Sequence, residues 1–176
     1  MNRIFGVTLT LLLFFVVPVF ANEINDLPFY SISNTDKIFI GNIKVNPDGY
    51  TSLSNSSEPD HPVIFDPEER EELIKLLVKA REWINISLQN DTIPVDKEVG
   101  EFWTKHSHQI IAVYYTFLPS SSHKVAIQFG DNKTSYLFII FNSKQSVDYF
   151  ISLLEYIPEY AKKVKVLYEK SSDLYR

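Results

Sequence analysis

The sequence predicts an α+β fold, an antiparallel sheet with amphipathic helices packed on one of its faces. Three observations carry this. Between residues 109 and 141 lie three runs, Gln109–Leu118, His123–Phe129 and Thr134–Phe141, rich in the β-branched and aromatic residues that suit a half-buried pleated surface. Short connections separate them, as in a meander. Lys37–Val45 meets the turn Asn46-Pro47-Asp48-Gly49 and returns through Tyr50–Leu53, a hairpin over 37–54. Two further stretches repeat apolar residues at helical spacing behind a capping signal.

The elements follow in order. Residues 22–36 are polar apart from Leu27-Pro28-Phe29-Tyr30 and Ile32. Pro28 has no N–H to give to a ladder, so a short edge strand from Phe29 to Ile32 is the most this segment supports. In the hairpin turn, Pro47 presets φ, Asp48 bonds its own backbone and Gly49 takes a positive φ. Ser54 to His61 reads as a polar loop. Asp66 is the N-cap of a helix over about 66–86, with Pro67 at its first position and Glu69 completing a capping box. Leu73, Leu76, Leu77, Ala80, Trp83 and Ile84 form its apolar stripe. Residues 87–105, interrupted by Pro94 and Gly100, are the least regular part. A loop of that length is functional or hides an element.

After the meander, Asn142 is expected to cap a second helix over 143–157, with Gln145 at the capping-box position. Val147, Phe150, Ile151 and Leu154 are its stripe. Pro158 ends or kinks it, and a C-terminal helix restarts with Tyr160, Ala161, Val164, Leu167 and Tyr168. A shift of 76 positions lays Val63–Asp66 over Ile139–Asn142 and Ile74 over Phe150. The halves 37–86 and 109–157 therefore share a layout. Internal duplication accounts for that, and so does the general look of any strand feeding a capped helix.

The N-terminus gives an address. Arg3 precedes an apolar run through Leu11–Val17, Pro18 breaks it, and Val19-Phe20-Ala21 offers small residues where a signal peptidase cuts. A secretory signal peptide over residues 1–21 is expected, ahead of one domain over 22–176. The polar Asn22-Glu23 favour cleavage over a retained anchor, and no later stretch is long and apolar enough to span a bilayer. Cleavage leaves 155 of the 176 residues and removes one Arg and no acid, so formal net charge moves from −5 to −6. An acidic chain without a basic stripe is a poor partner for nucleic acid. The absence of cysteine excludes disulfides, thiolate metal sites and cysteine nucleophiles. For a secreted domain it also favours a bacterial envelope over a eukaryotic exterior. Sequons at Asn55, Asn85, Asn90 and Asn132 point the other way.

Candidate chemistry is sparse. His106 and His108, beside Trp103, would face the same way on a strand and could share a metal, but no third ligand is placed by the sequence. Ser120-Ser121-Ser122-His123 lacks the strand–elbow–helix surroundings of a nucleophile and reads as a hairpin loop, as does Asp131-Asn132-Lys133. Five scattered glycines make no phosphate loop. No metal site or cofactor follows. Tyr114 and Tyr115 suit either core or a half-wet contact face. With Trp103, His106 and His108 they are the candidate binding residues. The expected function is binding, of another protein in the bacterial envelope. The alternatives are a carrier of an apolar small molecule and a metal-dependent hydrolase using His106 and His108.

Overall fold

A computed structural model describes residues 25–32, 36–90, 92–119, 123–130 and 135–174. The fold is α+β, with two four-stranded antiparallel sheets among the described residues rather than the one sheet expected. The first contains β1 (Asp26–Ile32), β2 (Lys37–Val45), β3 (Thr51–Asn55) and β4 (Glu58–Phe65) in chain order, followed by helix α1 (Pro67–Gln89). The second contains β5 (Val95–Trp103), β6 (Ile110–Phe117), β7 (Lys124–Gly130) and β8 (Ser135–Phe141), followed by α2 (Lys144–Leu174). The expected signal peptide and the Asn132 sequon lie outside the described residues.

β5 was hidden from the sequence and β4 starts earlier than the strand expected before the first helix, and both are edges. β4 begins inside the stretch expected to be a polar loop, and its prolines are tolerated because an edge strand need not donate on both sides. β5 lies within 87–105. It pairs with β6 alone and shifts register between Glu98 and Gly100, so a bulge breaks the alternation that would have revealed it. Its charges at Asp96, Lys97, Glu98 and Glu101 are what an edge exposes to resist further pairing. Completing both meanders splits the single expected sheet in two.

The local signals behave as their chemistry dictates. In the β2–β3 turn, Gly49 N–H donates to the Asn46 carbonyl at 2.9 Å, Tyr50 N–H donates to Asp48 Oδ1 at 3.2 Å, and Gly49 has φ 89°. At α1, Glu69 N–H donates to Asp66 Oδ1 at 2.9 Å and Asp66 N–H donates to Glu69 Oε2 at 2.8 Å, a complete capping box. The α2 cap sits one residue later than expected. Ser143 Oγ, not Asn142, accepts the Ser146 N–H at 3.1 Å. Ser146 also bonds Ile32 at the end of β1, donating to its carbonyl at 2.8 Å and accepting its N–H at 2.7 Å. That second role favours the serine register.

Pro158 neither ends nor splits α2, which runs unbroken to Leu174. The ring is exposed, while Leu154, Ile157, Ala161 and Val164 keep one buried stripe on both sides of it. Burial of that stripe outweighs the hydrogen bond that proline cannot donate.

Each helix covers the sheet of the opposite half. α1 lies on β5 and β6, α2 lies on β1 and β2, and the helices touch each other. Gly100 permits the first contact, since a Cβ there would stand 2.7 Å from Leu76 Cδ2. Phe150 joins the second to β8, its ring 5.1 Å from Phe29 and 5.0 Å from Phe141. Buried side chains from both sheets and both helices form one continuous core.

The exposed proline gives a direct test of helix continuity. Pro158→Ala should raise stability by about 1–3 kcal/mol by restoring a helical donor and removing ring strain. Urea denaturation measures it, and a neutral or negative change would mean that the proline ring contributes as much to stability as the missing donor costs.

Candidate functional site

The three strands β6, β7 and β8 and the edge strand β5 present two unlike faces. Residues of β6 alternate, so Ile111, Val113, Tyr115 and Phe117 enter the core while Ile110, Ala112, Tyr114 and Thr116 belong to the outer face. Register sets the outer rows. Glu98, Tyr114, Ala126 and Ile140 lie side by side across the four strands, and Glu101, Ala112, Gln128 and Phe138 form the next row. Trp103 pairs with Ile110 at the end. Trp103, Phe138 and Ile140 are 50%, 49% and 44% exposed. The outer face of the first sheet is different. Its rows are Lys44, Ser52 and Ile64, then Asn42 and Ser54.

Acids border the apolar face along β5. Burial raises the Tyr114 phenol pKa, and the carboxylates of Glu98 and Glu101 raise it further, which places both acids close to the ring's polar end. Thr116 Oγ1 donates to Asp96 Oδ1 at 3.1 Å on the same side. Tyr114 thus carries an apolar body and a polar tip into an acidic margin, a composition suited to contact with another polypeptide.

The other candidates separate. Tyr115, adjacent to Tyr114, faces the opposite way and is fully buried. His106 and His108 share no strand face, because 104–109 is the connection between β5 and β6. Thr104 N–H donates to the Gln109 carbonyl at 2.8 Å, and His108 takes a φ of 51°. His106 Nε2 shares a 3.0 Å hydrogen bond with the Tyr50 hydroxyl, with the rings edge to face at 4.7 Å. Among the described residues no group of three His, Cys, Asp or Glu side chains stands ready to hold a metal.

This connection is an anchor. Lys105 N–H donates to Glu69 Oε1 at 2.6 Å, and its Nζ reaches Glu68 at 3.0 Å and Asp66 at 3.2 Å. Those carboxylates, Glu68 first, raise the Lys105 pKa. Burial pushes the Asp66 carboxyl up, but the Glu69 N–H and Lys105 outweigh it and hold it below its ordinary value. Ser107 Oγ donates to the Ile64 carbonyl at 3.3 Å, and Thr104 and Ser107 hydroxyls meet at 2.6 Å. The polar groups of the turn serve to dock one half on the other.

Sequence reasoning gave His123 too small a part. It is expected at the head of the run His123–Phe129, next to a serine loop, and Ser120–Ser122 lie outside the described residues. His123 itself stands at the mouth of β7, where Nδ1 shares a 2.9 Å hydrogen bond with the Tyr115 hydroxyl. Its ring stacks on Phe117 at 4.7 Å, and Trp83 of α1 meets Tyr115 edge-on at 6.2 Å. The signal was available: His123, Val125, Ile127 and Phe129 alternate, and the last three are buried. Of the sequons, Asn55 uses its side chain to donate to the Phe138 carbonyl at 2.9 Å, and Ser87 of the Asn85 sequon is buried.

No protein-family model, curated protein or solved structure matches the chain. No helix among the described residues is long and apolar enough to cross a membrane.

Burial lowers the His123 pKa below its ordinary 6.5. The fold therefore favours the neutral ring: its contribution is complete above pH 6.5 and is lost as pH falls through that value toward the folded-state pKa. The melting temperature should drop between about pH 7.5 and 5, and His123→Phe should flatten that part of the profile. A profile unchanged by the substitution would show that the ring does not couple to folding.

Proposed function

We propose that this is an exported protein of the bacterial envelope that acts by binding another protein on the outer face of the β5–β8 sheet. The observation that carries the proposal is the contrast between the two outer faces. One sets the exposed Ile64 in a row with Lys44 and Ser52, with Ile38 and Phe39 exposed at the start of β2; the other groups exposed Trp103, Phe138 and Ile140 around Tyr114 beside the carboxylates of β5. Exposed apolar side chains grouped around a tyrosine on one sheet face favour a surface that is covered in use. The acidic margin of Asp96, Glu98 and Glu101 selects a partner whose apolar centre is bordered by lysine or arginine. Export rests on the signal-like residues 1–21, and the bacterial setting on the lack of cysteine.

A photo-cross-linking amino acid placed at Tyr114 tests this in cells that make the protein, with Ser52 on the other sheet's outer face as the control position. Tyr114 should capture a discrete polypeptide, Ser52 should not, and the cross-linker-bearing protein itself should begin at Asn22. Equal labelling from both positions, or none from Tyr114, would refute the binding face. A product retaining residues 1–21 would refute export by cleavage.

A further inference from the structure

The acidic, apolar face has its chemical complement on the same chain. Among the described side chains Val164 is the last buried one in α2, and from Lys165 to Asp173 every position is exposed. Lys163, Val166, Leu167 and Lys170 stand at i, i+3, i+4 and i+7 and so share one face of the helix. Val166 and Leu167 are 47% and 43% exposed, an apolar pair with a lysine at either end. Four lysines against the one acid Glu169 make 162–170 basic in a chain that is acidic as a whole. Lys163 is paired with Glu159 at 2.8 Å, and Lys162, Lys165 and Lys170 flank the apolar pair from neighbouring positions.

The tail cannot serve the face of its own molecule. α2 meets β8 from the core side, through Phe150 and Phe141, whereas Phe138 and Ile140 point out of the opposite side of the sheet. Asn25 Nδ2 also donates to the Tyr168 hydroxyl at 3.0 Å, which holds the tail beside the start of β1. The sheet itself stands between the two surfaces.

We infer that the partner seated on the β5–β8 face is a second copy of this chain, delivering the Val166–Leu167 segment of α2 with its lysines toward Asp96, Glu98 and Glu101. This rests on the binding face proposed above and names its occupant. Lys124, which pairs with Thr116 at the far end of the face, sets the tail's docking toward the β5 side, where the carboxylates are. Each copy carries one tail and one face. The contact is therefore head to tail, and it closes as a reciprocal pair or grows as a chain, depending on the angle it imposes.

The test is sedimentation velocity of the purified protein from Asn22 onward over a wide concentration range. The wild type should associate, and raising salt from about 0.05 to about 0.5 M should weaken association several-fold. Leu167→Glu changes only the tail, and the pair Phe138→Thr with Ile140→Thr changes only the face. All three positions are exposed, and unaltered circular dichroism would verify the fold. Each variant should weaken association by about tenfold or more, and mixing the two should restore pairs, because one intact tail then meets one intact face. A wild type that stays monomeric throughout, variants that associate like the wild type, or a mixture that stays monomeric would overturn the inference. If a monomeric wild type still yields a cross-link from Tyr114 to a different polypeptide, the binding face stands and only its occupant is wrong.

Discussion

The structure depends on an exchange of cover. Neither sheet is roofed by the helix that its own last strand feeds: α1 leaves β4 and settles on β5 and β6, and α2 leaves β8 and settles on β1 and β2. A four-stranded sheet with an apolar inner face is not a stable object in water until something buries that face. Here the burying element always comes from the other half. Leu73 and Leu77 of α1, and Phe150 and Leu154 of α2, are each fully buried, and they belong to one core that no single half can close.

Polar contacts between the halves follow from the same arrangement. Edge strands leave carbonyl and N–H groups without ladder partners. Several of these are met by side chains from across the junction: Ser146 bonds Ile32 at the end of β1, Ser107 donates to Ile64 of β4, and Asn55 donates to Phe138 of β8. The Lys105 backbone and ammonium add a tie to the α1 capping box. Glu69 thus satisfies the Asp66 N–H with one oxygen and the Lys105 N–H with the other. The helix cap and the docking contact are one structure.

Much of this was legible in the residues, and the limits have physical causes. The α+β class, the Asn46–Gly49 turn, the α1 capping box and both helical stripes rest on local chemistry, and the structure has them. β5 was missed, and the first half of β4 read as loop, because edge strands carry charge and proline instead of alternation, and a bulge at Val99–Gly100 breaks the period of β5 further. Pro158 misled because helix propensity is a weak local term beside a stripe that stays buried through Ile157, Ala161 and Val164. His106 and His108 were paired on the assumption of a strand, which the turn at 104–109 replaces. Tyr114 and Tyr115 looked alike by composition, yet strand alternation sends one to the margin and the other to the core. Both halves run four strands and then a helix, with Ile74 and Phe150 buried at equivalent positions.

The two halves differ most where they face outward, which is the physical basis of the binding proposal. Their inner faces are tied by the helix exchange. Cutting the chain after the exposed Asn90, between α1 and β5, tests that exchange most directly. Expressed alone, each half should lack a cooperative melting transition. Combined in equal amounts, they should assemble into one species with the intact protein's circular dichroism and a single transition. Halves that melt cooperatively by themselves, each with native spectral features, would contradict the account.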